Sequence, residues 1–156
     1  MVSTEDYPRK GVIEMIAKKE KALMSFDIDI KNRTFWEWAK AHTSLAKPLH
    51  RYEGEIILEE DRIVFHGINK QSRKDFKNVI MKERVTDITM GFDRNFKRRE
   101  DRSLGLAFKP LRISFSENGK KKIMYLIISF NPLLRSSNNQ DWYDTLIRWK
   151  NIENQR

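Results

Sequence analysis

The sequence predicts a mainly β protein with helices: a small antiparallel β-barrel capped by a C-terminal α-helix, with an extra helical segment at the N-terminus. Two hairpin signatures and one amphipathic helix carry that reading. In Gly54 to Gly67, a two-residue turn at Glu60-Asp61 sets Leu58 opposite Ile63 and Ile56 opposite Phe65, so four apolar side chains share one face. In Leu111 to Phe130, Asn118-Gly119 is a strong type I′ signal, because both turn positions need positive φ. Near the C-terminus Trp142, Leu146 and Trp149 recur at helical spacing, with Ser136 to Asn139 as N-cap candidates.

The remaining elements follow in chain order. Residues 1–10 show no period, and Val12, Ile13 and Ile16 suggest a short helix over Gly11 to Lys21. Ala22, Met24, Phe26, Ile28 and Ile30 alternate with Leu23, Ser25, Asp27, Asp29 and Lys31, the pattern of a half-buried strand. Thr34 to Glu37 reads as a capping box opening a helix that carries Trp36, Trp38 and His42 and stops at Pro48. Trp38 is expected inside and Trp36 at a boundary. Lys70 to Asn78 reads as a polar connection, and Val79 to Phe92 as one or two strands on which Thr86, Ile88, Met90 and Phe92 alternate. A charged loop spans Asp93 to Ser103, and Leu104 to Phe108 is a further strand candidate.

The second hairpin's register puts Phe115 across from Lys122, Ile113 from Met124 and Leu111 from Leu126. Its core face then holds Leu111, Ile113, Phe115, Met124, Leu126, Ile128 and Phe130. Ile123, Tyr125 and Ile127 lie on the opposite face, which the N-terminal helix is expected to cover. The organisation implied is one compact domain, with an N-terminal extension (1–48) packed on a barrel plus closing helix (49–156).

Gly54 to Leu58 followed by Arg62 to Phe65 resembles the opening hairpin of pleckstrin-homology-like domains, the GRAM and bacterial PH-type domains in particular. Val79 to Met81, then Val85 to Ile88, are similar to the segment that follows in that group, with Glu59 in place of a family Thr. The resemblance covers residues 50–152 and implies a closing helix with an inward Trp. By analogy it implies a lipid headgroup, an acidic protein or further copies of the chain as partner.

Composition narrows the chemistry. The chain has 156 residues and no cysteine, so disulfides, thiolate metal sites and cysteine nucleophiles are excluded. No apolar run has signal-peptide or membrane-spanning character, so a cytoplasmic chain, peripheral to a membrane at most, is expected. His42, His50 and His66 lack ligand spacing, the six glycines form no phosphate loop, and no nucleophile elbow is present. Asp27 and Asp29 would share one side of a strand as weak cation ligands, or simply face solvent. No enzyme activity, cofactor or metal is therefore expected.

The formal charge is +9, and residues 70–102 hold eleven Lys/Arg against six Asp/Glu. The best binding candidates are Arg94, Phe96, Lys97, Arg98, Arg99 and Arg102: five cations beside an aromatic expected to be exposed, suited to phosphate oxygens, with Phe96 entering a lipid interface or stacking on a base. The plain alternative is a solvated loop that keeps edge strands soluble. Lys120 to Lys122 has the same two readings. An anionic membrane surface or acidic protein is the expected partner; nucleic-acid binding and a small enzyme or ligand-binding barrel are the rivals.

Overall fold

The computed structural model describes residues 18–32, 50–97, 109–134 and 136–152. Its elements are β1 (Lys18–Phe26), α1 (Asp27–Lys31), β2 (Tyr52–Leu58), β3 (Arg62–Asn69), β4 (Asp75–Met81), a 3-10 turn (Lys82–Arg84), β5 (Val85–Met90), β6 (Leu111–Glu117), β7 (Lys120–Ile128) and α2 (Asn139–Asn151). The strands form one antiparallel sheet in the order β4-β3-β2-β1-β7-β6-β5. It is a curled half-barrel whose hollow α2 fills.

Both hairpins form in the register their turn residues dictate. Leu58 pairs with Ile63 and Ile56 with Phe65. Asn118 and Gly119 take φ of 52° and 76°, and Ile113 pairs with Met124. Period-two alternation then sends Ile56, Leu58, Ile63, Phe65, Ile113 and Met124 into one core. The strands approach closely where Gly54 faces Gly67: a Cβ on either would lie 2.2 Å from a backbone oxygen of the opposite strand. Only glycine fits there.

Strand β1 pairs with β2 on one side and β7 on the other, so residues assigned by sequence to an N-terminal extension form the middle of the sheet. It begins at Lys18, where a helix was expected, and ends at Phe26 rather than running on to Ile30. The Asp29 carboxylate accepts from the Phe26 amide at 2.8 Å and turns the chain into α1. Helical spacing separates Ile30, 1% exposed, from Ile28, 60% exposed. Asp27 and Asp29 are thus joint residues rather than a strand-borne pair; Asp27 accepts from the Ile123 amide at 3.3 Å.

Two further expectations change. Lys70 to Asn78 is not all connection, because β4 starts at Asp75; its inward Asn78 interrupts the apolar alternation that would have marked it. In β5 an extra residue enters between Val85 and Asp87, so Val85 and Ile88 both face the core while Thr86 is exposed. The expected helix at 34–47, with Trp36, Trp38 and His42, and the strand at 104–108 lie outside the described residues, as does the expected helix before Lys18.

The closing helix is fixed by its buried face and both ends. Trp142, Leu146 and Trp149 are at most 1% exposed, each contributing on the order of 1.5–3 kcal/mol by burial. At its start Asn139, 1% exposed, accepts from the Ile128 amide (2.8 Å) and donates to the carbonyls of Lys109 (2.7 Å) and Leu126 (3.0 Å). At its end the Trp149 indole donates to the carbonyls of Glu59 (2.9 Å) and Glu60 (3.0 Å) in the β2–β3 turn. The buried Lys82 ammonium lies 5.0 Å from the Trp149 ring centroid, a cation–π contact.

Candidate functional site

A second apolar cluster occupies the outer face of the sheet, formed by Leu23, Ile30, Phe96, Tyr125 and Ile127 with Phe92, Ile123 and Phe130 beside them. Among the described residues its cover is α1 and the turn after β5. Phe130, expected on the core face, joins this outer cluster because Ser129 takes a φ of 51° and ends the alternation at Ile128.

That turn is the visible base of the basic loop, and Asp93 organises it. One carboxylate oxygen accepts from the amides of Asn95 and Phe96, both at 2.8 Å, an Asx turn. The other accepts from the Tyr125 hydroxyl (2.7 Å) and an Arg112 guanidinium N–H (3.1 Å). The Asp93 amide returns a bond to the Phe96 carbonyl at 2.9 Å. Burial alone would raise the Asp93 pKa, but Tyr125, the two amides and Arg112 outweigh it and hold the carboxyl below its usual range. Burial and the Asp93 charge push the Tyr125 phenol well above its ordinary value, so it remains a donor.

The consequence for Phe96 is a correction: it is 1% exposed, not a free aromatic. Its ring lies 5.6 Å from Tyr125 and 5.7 Å from Phe92. Arg94 and Lys97, flanking it, are exposed. Arg98, Arg99 and Arg102 lie outside the described residues; of the five expected cations, the described residues place Arg94 and Lys97 on this turn.

Strands β5 and β7 both run antiparallel to β6, with Met90 opposite Leu111 and Leu111 opposite Leu126. Their C-terminal ends therefore leave the same end of the sheet, where β6 begins. Exposed Lys109 joins Arg94 and Lys97 there. Asp93, Tyr125 and Arg112 were missed from sequence. The spacing of Asp93 to Asn95 and Phe96 was an available Asx-turn signal; the partners in β6 and β7 had none.

Glu20 accepts from the Ser129 hydroxyl and from Asn138 (2.9 Å); these bonds, with Lys18 nearby, overcome burial and lower its pKa. His66 is exposed and His50 lies 3.6 Å from Glu53. No group of three or more metal-ligating side chains occurs among the described residues. No described helix is long and apolar enough to cross a membrane. An open groove of about 410 Å³ on the outer face is rimmed by Glu53 and Glu55 as well as Lys21, a poor setting for an anion.

No family model matches the chain, and no curated protein matches it. Among solved structures, the hSac2 domain from human phosphoinositide phosphatase Sac2 is similar at 11% identity and a TM-score of 0.45, over 97% of this chain and 84% of that one. A likeness this distant assigns neither fold family nor ligand.

Proposed function

We propose that the protein is a non-catalytic, PH-like binding module that engages an anionic membrane surface through the end of the half-barrel carrying Arg94, Lys97 and Lys109. The PH-like part is supported by the curled antiparallel sheet and the closing helix with inward Trp142 and Trp149. The observation that carries the binding part is the Asp93 turn. It seats Phe96 inward and leaves both neighbouring cations in water, at the root of the stretch that continues with Arg98, Arg99 and Arg102.

Electrostatics supplies the attraction and sets its limit. The five cations of residues 94–102 against Glu100 and Asp101 leave +3, at about 1 kcal/mol per charge near an anionic surface. About 3 kcal/mol corresponds to a dissociation constant weaker than about millimolar. Adsorption of this kind is reversible and salt-sensitive. Nucleic acid is the poorer fit, because no large aromatic side chain is exposed among the described residues to stack on a base.

Reversing Lys97, Arg98 and Arg99 to Glu is expected to abolish sedimentation with phosphatidylserine-containing vesicles while leaving the melting temperature within a degree or so. Unchanged vesicle binding by that variant would sink the proposal. Binding retained only to acidic proteins would move the function to a protein partner.

A further inference from the structure

The turn after β7 holds Leu133 and Leu134 in water, 94% and 75% exposed, the two most exposed large apolar side chains among the described residues. The turn is built rather than slack. The Asn131 side-chain oxygen accepts from the amides of Leu133 (2.9 Å) and Leu134 (3.1 Å), and the Asn131 amide donates to the Ser136 carbonyl at 2.9 Å. Its base is clamped by the Asn138 amide on the Ile128 carbonyl at 2.7 Å. A closed turn thus projects two adjacent leucines that the core does not use. It leaves the same end of the sheet as Arg94, Lys97 and Lys109.

From this geometry we infer that Leu133 and Leu134 are a membrane-insertion tip, entering the headgroup–acyl boundary of an anionic bilayer while the cations of that end engage the headgroups. The inference rests on the membrane reading proposed above and names what completes it. Membrane-surface binding grows with buried apolar area together with attraction to anionic lipid, and this end offers both. A fixed turn loses little freedom on insertion. A lipid surface suits the feature better than a protein does: two leucines on a projecting tip are far from the roughly 1,000 Å² that a specific protein interface needs.

The test uses the full chain and phosphatidylcholine vesicles with phosphatidylserine. Leu133→Ser/Leu134→Ser is expected to bind about tenfold more weakly or worse, with an unchanged melting temperature because both side chains are already in water. Since the chain has no cysteine, Leu134→Cys accepts a single environment-sensitive fluorophore. Its emission should shift to the blue on vesicles and be quenched by lipids brominated on the acyl chain. If the serine variant binds like wild type and the fluorophore stays aqueous while the charge-reversal variant loses binding, the insertion tip is overturned and the anionic-surface reading stands. If wild type itself ignores vesicles, both fall. Leucine-dependent self-association without vesicle binding would overturn the tip in favour of contact between copies.

Discussion

In the turn after β5, the Asp93 side chain accepts from the amides two and three residues on, and the apolar residue so placed, Phe96, is 1% exposed. In the turn after β7, the Asn131 side chain accepts from the amides two and three residues on, and Leu133 and Leu134 are 94% and 75% exposed. The local backbone device is the same and both turns leave one end of the sheet. What differs is the reach of the side chain that builds them. The second oxygen of Asp93 takes donors from Tyr125 and Arg112 and draws its turn down onto the sheet. The Asn131 side chain accepts from its own turn's amides, and the backbone amide of Asn131 closes that turn on Ser136. One turn therefore packs into the fold, and the other holds its two leucines in water.

That contrast breaks most visibly at Phe96. Phe96→Ala empties the outer cluster and should cost about 3–4 kcal/mol, seen as a large fall in the denaturant midpoint. The leucine pair, of similar combined apolar size, should change the midpoint hardly at all. Next comes Asp93→Asn, which removes a mostly buried carboxylate that accepts four N–H or O–H bonds; about 2 kcal/mol should be lost at neutral pH.

The same substitution carries a pH signature. The folded Asp93 carboxyl titrates below its unfolded value, so its stabilisation is fully present above about pH 4 and is lost as pH falls through the folded value. Wild type and Asp93→Asn should therefore converge in acid and separate again above it. A gap independent of pH would show that Asp93 works through shape rather than charge. The smallest expected effect is that of Asn131→Ala, about 0.5–1 kcal/mol, with a weakened vesicle interaction because the tip is no longer held.

Sequence revealed the parts whose signal is local. Asn118-Gly119 can form only a few kinds of turn, and the spacing of Trp142, Leu146 and Trp149 admits one helix face. Ile28 and Ile30 continued the alternation of β1 and fitted a strand equally well; the Asp29 bond that ends it competes at the same short range. Strand β4 was obscured by Asn78, a polar residue at an inward position. The fate of Phe96 was decided by Tyr125, far along the chain, and no period within residues 94–102 encodes that contact. The exposed leucines were invisible for the opposite reason: a Leu pair beside Pro132 looks the same whether the loop folds over it or holds it out.

The most direct measurement is sedimentation of the wild-type chain with phosphatidylcholine vesicles, with and without phosphatidylserine, at low and high salt. Binding is expected only where phosphatidylserine is present, weakened but not erased by salt, since the leucines contribute what screening cannot remove. Equal behaviour on neutral and anionic vesicles, or no binding to either, would contradict it.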